Sequence, residues 1–329
     1  MARRNVYYKG SRSDHFDGSR FHCPTEPPAK TVAELTWVLL GKARRRWPAL
    51  HLSPHGQDRP PERVEGLRVS SVGHSSILLQ LSGLNLLFDP VWSERVSPFA
   101  FAGPKRVNAP GVAFEDLPPI DAVLVTHNHY DHLDGPTLAR LWKSFRPRVI
   151  APLGNDPIIK RYDPTITVET YDWGDHVPLS DRLSVHLEPA FHWSGRGIRD
   201  RRMALWCSFV LTGSSGEVIY HIGDTAYGDG SIFRAVRDKF GPPRVALLPI
   251  GAYEPRWFMQ AQHINPAEAV RIMQDCGAEQ AFGHHWGTFQ LTHEPIDAPA
   301  VELAAALSEA NIPLDRFEPL RPGQAAEIH

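Results

Sequence analysis

Hydrophobic positions along this chain fall into two regimes that meet near residue 65. Up to there the sequence is rich in Pro and Arg and shows no strand alternation, apart from a helix-like stretch over residues 32–46. Beyond it, short apolar runs follow one another closely. Residues 67–72, 77–81 and 85–88 are punctuated by Gly73-His74-Ser75-Ser76 and Ser82-Gly83, the spacing of antiparallel strands. Residues 121–126 read as a buried strand, short, β-branched and followed at once by polar loop residues. Further strands are predicted over 149–151, 183–187, 204–211, 217–222, 245–250 and 280–283, and helices over 135–145, 231–240, 266–276 and 299–310. The third helix carries its own start signal: Asn265 as N-cap, Pro266 at the first helical position and Glu268 three residues after the cap. Strand meanders interleaved with helices predict an α/β protein of two sheets packed face to face, with helices outside. Residues 1–65 form an N-terminal extension in this reading, and 66–329 the main domain. The stretch Thr212-Gly213-Ser214-Ser215-Gly216 lacks the order of a nucleophile elbow and reads as a hairpin turn.

Composition narrows the possible partners. With 42% hydrophobic and 22% charged residues, the 329-residue chain has material for a full core. A formal charge of −2 gives no overall pull toward nucleic acid, and none is expected as a partner. Cys23, Cys207 and Cys276 are too scattered for a disulfide framework or a thiolate metal site. Met1-Ala2-Arg3-Arg4 is followed by no apolar signal region, and the run 35–40 is far short of the ~20 residues that span a bilayer. A cytoplasmic protein is the expectation.

The densest chemistry lies directly after the strand at 121–126. Thr126-His127-Asn128-His129-Tyr130-Asp131-His132-Leu133-Asp134 packs three imidazoles and two carboxylates into nine residues. A loop leaving a buried strand is a rigid place for metal ligands. His127 and His129, two apart, converge on one ion, while Asp131 and His132 turn toward a second position. Imidazole and carboxylate without thiolate suit zinc and similar divalent ions. Three later residues follow strands in loop-forming company: His192, Asp224 after Gly223, and His285. With His127, His129, Asp131 and His132 they make seven ligands for two ions.

His127-Asn-His-Tyr-Asp-His132 resembles the H-x-H-x-D-H signature of the metallo-β-lactamase superfamily, and His192, Asp224 and His285 follow in that superfamily's order. The resemblance implies an αββα four-layer sandwich with a dinuclear site at one edge. A narrower similarity covers most of the chain from about Ser71, through Asp89-Pro90, Gly103-Pro104-Lys105-Arg106, the stretch at 117–122, the stretch at 249–259, Gln262-His263, Pro266 and His285-Trp286-Gly287-Thr288-Phe289. These resemble the N-acylphosphatidylethanolamine-hydrolysing phospholipase D family. By position, the resemblance places His127, His129, His192 and Asp224 on one Zn2+. It places Asp131, His132, Asp224 and His285 on the other, with Asp224 bridging. It implies a homodimer, a phospholipid substrate, and cleavage of N-acylphosphatidylethanolamine to N-acylethanolamine and phosphatidic acid.

Two such ions ~3.5–4 Å apart share a water and lower its pKa, making hydroxide available for in-line attack on phosphorus. Asp131, Asp224 and His263 are the expected catalytic residues. Asp89 is expected to orient a ligand imidazole through its second nitrogen. His74 is either structural or a supporting residue of the site, and His221 is read as structural. Arg196, in a basic loop with Arg199, Arg201 and Arg202, is a candidate phosphate contact. Tyr253 and Trp257 are candidate pocket-lining aromatics. The same ligands would serve a sugar-phosphate lactonase, a cyclic nucleotide phosphodiesterase or an iron-loaded redox enzyme equally well. Residues 35–47, with Trp37, Leu39 and Leu40 beside Lys42, Arg44, Arg45, Arg46 and Trp47, either pack on the sandwich or dock on a membrane surface. In the second case the protein is peripheral at the inner membrane surface.

Overall fold

Side chains alternate across a strand, so a run that is apolar at every position needs cover on both faces. The runs at 122–124 and 245–249 are of that kind, and several neighbouring strands are buried at nearly every position, so four layers result. The structure, a computed structural model, describes residues 4–23, 31, 34 and 46–328. One sheet holds β1 (Leu67–Gly73), β2 (Ser76–Leu81), β3 (Leu84–Phe88), β4 (Ala122–Leu124), β5 (Arg148–Pro152), β6 (Val168–Tyr171) and β14 (Ala325–Ile328), in the order β14-β1-β2-β3-β4-β5-β6. The other holds β7 (His176–Pro178), β8 (Leu183–Glu188), β9 (Ser208–Gly213), β10 (Val218–His221), β11 (Val245–Pro249), β12 (Gln280–His284) and β13 (Phe317–Pro319), in the order β13-β12-β11-β10-β9-β8-β7.

Leu86 and Phe88 of β3 meet Phe209 and Leu211 of β9 and Val245 and Leu247 of β11 between the sheets. Their neighbours in sequence face outward. Leu87, Val123 and Val149 lie under α1 (Gly135–Phe145) and α2 (Asp156–Ile159), against Leu138, Leu141 and Ile158. Val210, Ala246 and Leu248 lie under α3 (Ser231–Phe240), α5 (Pro266–Cys276) and α6 (Ala298–Glu309), against Phe233, Val270 and Leu303. A short α4 (Arg256–Met259) precedes α5. The expected α/β sandwich with outer helices is the architecture found. The Asn265 capping box also forms: its side chain accepts the Glu268 N–H at 2.9 Å, and the Glu268 carboxylate accepts the Asn265 N–H at 3.1 Å.

Strand direction gathers the strand ends. β1 and β3 are both antiparallel to β2, and β3, β4 and β5 are parallel, so β1, β3 and β4 point the same way. In the second sheet β8 and β10 are both antiparallel to β9, and β10, β11 and β12 are parallel. The segments that leave these C-terminal ends carry His74, Asp89, His127, His192, Asp224 and His285.

The strand expected from residue 204 starts only at Ser208. Leu205 donates its N–H to Leu153 O and Cys207 to Thr126 O, so this apolar run bridges to the other sheet before joining its own. Residues from the N-terminal region lie against the sandwich: Phe16, Phe21 and Cys23 pack with Phe191, Leu205 and Trp206. The helix expected over 32–46 and the segment 35–47 lie outside the described residues, apart from Glu34, Arg46 and Trp47. The Trp47 indole donates to Glu294 O at 2.9 Å. Among the described residues, no helix is long and apolar enough to cross a membrane.

Candidate metal centre

The loop after β4 is anchored from behind by Asp89, a fully buried carboxylate at the end of β3. Its Oδ1 accepts the Thr126 N–H at 2.7 Å. Its Oδ2 accepts the Thr126 hydroxyl at 2.6 Å and His132 Nδ1 at 2.7 Å. That last bond fixes the proton on Nδ1 and leaves His132 Nε2 as the lone-pair nitrogen. Asp89, His74 and His285 all hold positive φ, at 39°, 55° and 65°. Left-handed backbone at non-glycine residues is uncommon and concentrates where side chains must be aimed.

Two donor sets converge. His127, His129, His192 and Asp224 offer ligand atoms within 4.8 Å of one another; so do His74, Asp131, His132 and His285. Asp224 also groups with His263 and His285. In the first set, His127 Nε2 and His192 Nε2 lie 3.7 and 3.5 Å from Asp224 Oδ2. His129 Nδ1 is 2.9 Å from His127 Nε2 and 3.2 Å from His192 Nε2. In the second, His132 Nε2 is 3.3 Å from Asp224 Oδ2 and 3.6 Å from Asp131 Oδ2. His285 Nε2 is 3.1 Å from Asp224 Oδ1 and 3.3 Å from Asp131 Oδ2. A tetrahedron of ~2.1 Å metal–ligand bonds has edges of roughly 3.4 Å, the scale of these separations.

The donors fit a cation better than they fit each other. The Nε2 atoms of His132 and His285 and Oδ1 of Asp224 are buried without a hydrogen-bond partner. Buried polar atoms are rarely left so, and several aimed at common points form a ligand shell. Electrostatics agree for the imidazoles of the first set. Burial, together with the surrounding imidazoles, pushes the His127 imidazole well below its ordinary range. Burial brings His129 down to about 4 and His192 to about 3, against the pull of Asp224, so these rings are neutral ligands at pH 7. Burial alone would raise Asp131 and Asp224, but the neighbouring histidines hold both carboxylates well below the usual range. In the second set burial is outweighed by the carboxylates: Asp224 and Asp131 raise His285 to about 9, and with Asp89 they raise His132 well above its ordinary range, so both rings carry an extra proton at pH 7 that a bound cation would displace.

All seven ligands expected from the sequence are brought to this edge, and Asp224 lies in reach of both sets. His74 also takes part: its Nε2 is 3.0 Å from Asp131 Oδ2, and its ring lies tilted against that of His285 with centroids 4.1 Å apart. His263 is buried beside the centre, with Nδ1 3.9 Å from Asp224 Oδ2, and burial lowers its imidazole to about 3. His221 is buried with Nε2 4.0 Å from Asp89 Oδ2, behind the donor sets. Arg196 meets a different environment from the one expected of a phosphate contact. Its guanidinium donates to Asn128 O, Leu133 O and the Tyr162 hydroxyl. Tyr253 is 1% exposed and belongs to the packed interior, whereas Trp257 is 47% exposed. Thr126 and Gln262 were not singled out in the sequence as supports of the site. The carbonyl of Gln262 accepts from His192 Nδ1 at 2.9 Å, and its position beside His263 was the available signal.

Comparison with known proteins agrees with this geometry. The profile described as the Beta-lactamase superfamily domain matches residues 84–286. The chain is similar to N-acyl-phosphatidylethanolamine-hydrolyzing phospholipase D 1 of Caenorhabditis elegans, 37% identical over 235 residues, covering 69% of this chain and 65% of that protein. It is 34% identical over 235 residues to the mitochondrial N-acyl-phosphatidylethanolamine-hydrolyzing phospholipase D of Saccharomyces cerevisiae, covering 70% of this chain and 50% of that protein. The match thus spans less than two thirds of either relative's length. Among solved structures, isothiocyanate hydrolase from Delia radicum gut bacteria superposes with a TM-score of 0.63 at 19% identity, covering 79% of this chain and 98% of that one. That likeness shows a common fold. With the family profile matching more than half of its length, this chain belongs to the metallo-β-lactamase superfamily.

Proposed function

We propose that the protein is a metal-dependent phosphodiester hydrolase of the phospholipase D type. It would hold two Zn2+ and cleave N-acylphosphatidylethanolamine-like lipids to N-acylethanolamine and phosphatidic acid. The observation that carries the reading is the pair of buried donor sets that share Asp224. The activity for which the nematode and yeast relatives are named supports the substrate class.

His127, His129, His192 and Asp224 would hold one ion, and Asp131, His132, Asp224 and His285 the other. Bound there, the ions supply Lewis acidity toward phosphoryl oxygen and acidify a water at neutral pH. The chain's own groups do the rest. Asp131 is the more accessible of the two carboxylates, 13% exposed against 1% for Asp224, and its Oδ1, the oxygen turned away from His74, would take the proton of the attacking water. His74, bonded to Oδ2, steadies the carboxylate. His263, neutral at pH 7, is placed to donate a hydrogen bond to a phosphoryl oxygen. Water adds to phosphorus as the P–O bond to the N-acylethanolamine breaks, and the departing oxygen takes a proton. A cavity of about 330 Å³ adjoins the ligand loop; its Phe99, Tyr130, Leu133 and Tyr162 walls would suit an acyl chain, while Arg95 and Arg196 are balanced there by Glu94 and Asp134.

The test is a screen of zinc-loaded protein with diacyl N-acylphosphatidylethanolamine, a sugar-phosphate lactone and a cyclic nucleotide. Release of N-acylethanolamine, with 18O from water found in phosphatidic acid, is the expected result. Turnover of either other substrate with no N-acylethanolamine would refute the lipid assignment. Purified protein carrying mainly iron would refute the zinc one. Docking of residues 35–47 on a bilayer remains part of the proposal; liposome binding unaltered by replacing Arg44, Arg45 and Arg46 with Ala would end it. A homodimer is proposed on the resemblance alone, and sedimentation would decide it.

A further inference from the structure

The side chain of Arg196 lines the cavity beside the ligand loop, but its guanidinium is spent on that loop. Its Nη1 donates to Asn128 O at 2.9 Å and to Leu133 O at 2.8 Å, the two carbonyls that bracket His129, Asp131 and His132. Its Nη2 donates to the Tyr162 hydroxyl at 2.8 Å, and the group stacks 3.8 Å from the centre of the Tyr130 ring. The neighbouring Gly195 N–H donates to the Asn128 side-chain oxygen at 2.7 Å. Two ligand segments, the one after β4 and the one carrying His192, are therefore stitched to each other at several points.

The far side of the stitch is anchored as well. Asp200 accepts the backbone N–H groups of Arg196 and Gly197, at 3.1 and 2.8 Å, and the Tyr7 hydroxyl at 2.8 Å. Asn5 donates to Met203 O at 2.8 Å, and Phe21 N–H to Arg202 O at 2.8 Å. The segment that holds Arg196 is thus braced from residues near the N-terminus.

We propose that Arg196 is a positioning residue for the metal centre: it spans the ends of the ligand loop and holds three of its donors in register with His192. A planar fork with fixed donor directions does this, and a flexible ammonium does not. Arg196 thereby acts through the ligands and not on substrate. The inference rests on the metal-centre reading above but not on the identity of the substrate.

Zinc transfer from the loaded full-length protein to a colorimetric chelator tests it, alongside the visible spectrum of the cobalt-substituted protein. Supporting groups of metal ligands typically contribute 10- to 100-fold to affinity. Release from Arg196→Ala is expected to be faster by about that range, with an altered cobalt spectrum. With bis(p-nitrophenyl) phosphate as probe, kcat falls and KM holds. Arg196→Lys is expected not to rescue release. If Arg196→Ala does not fold, Arg196→Lys carries the same comparison. Tyr7→Phe, which touches no ligand, is expected to speed release to a smaller extent. Parental release rates and cobalt spectra in both Arg196 variants, or a raised KM with metal retention unchanged, would overturn the proposal. A parent protein that binds no zinc would instead overturn the metal-centre reading itself.

Discussion

Replacing Asp89 by Asn changes one atom and tests how the centre is oriented. The Asp89 carboxylate accepts the Thr126 N–H on Oδ1 and both the Thr126 hydroxyl and His132 Nδ1 on Oδ2. An Asn oxygen can keep the first bond, which leaves its NH2 facing Thr126 Oγ1 and His132 Nδ1. The hydroxyl can rotate to accept. His132 can accept only by giving up its Nδ1 proton, which places the ring proton on Nε2. That nitrogen is the one aimed at Asp131 and Asp224, and a protonated Nε2 has no lone pair for a cation. Three charge-assisted bonds become neutral ones, so Asp89→Asn should destabilise the fold by about 1–3 kcal/mol. Asp89→Ala leaves three buried donors unpaired and should cost about 3–5 kcal/mol, the scale of a broken buried ion pair. The larger effect of Asp89→Asn is on metal. Affinity at the subsite containing His132 should fall about 10- to 100-fold, while the subsite of His127, His129 and His192 stays filled. Metal content after gel filtration and calorimetric zinc titration read this directly. An Asp89→Asn protein that binds both ions as tightly as the parent, or that loses the other subsite first, would refute the reasoning.

Three further expectations concern the scaffold. A Cβ on Gly251 would overlap His285 O, whereas one on Gly66 would meet nothing within 4 Å. Gly251→Ala should therefore lower stability by about 1–3 kcal/mol and weaken metal binding, with Gly66→Ala as the near-neutral control in thermal melts. Burial pushes the Cys276 thiol up to about 12, above its unfolded value of about 8.5. Its contribution to stability is thus present below about pH 8.5 and lost as pH rises toward 12, and Cys276→Ala should flatten denaturant stability across that window. In native protein near pH 8, Cys276 should resist a thiol reagent that labels it after unfolding. Zinc should raise the melting temperature of chelated protein, by about 4 kcal/mol of added stability at a thousandfold excess over Kd. A melt indifferent to zinc would count against the centre.

Much of the site was legible because its ligands stand in short local groups. His127, His129, Asp131 and His132 share one loop, and His192, Asp224 and His285 each follow an apolar run. The helices with a clear apolar face were legible too, and Asn265 marked the start of one of them. The weaker elements were not. β6 and β14 are partly exposed at sheet edges, and β7 and β13 are three residues long, too little for periodicity to register. The run at 204–207 is apolar, but its backbone bonds go to Leu153 and Thr126. Apolar patterning reports that a residue is buried and does not name its partner.

By itself, then, the sequence determined the alternation that makes the layers and the chemical kinds of donor, because both are written in residue type and local spacing. Only the tertiary structure decided that same-direction strand ends bring Asp224 between two donor sets. It also decided that Asp89 selects the His132 tautomer and that Arg196 is spent on loop carbonyls. Those depend on strand direction and on contacts between residues as far as 211 positions apart, His74 and His285, which local spacing along a chain does not encode.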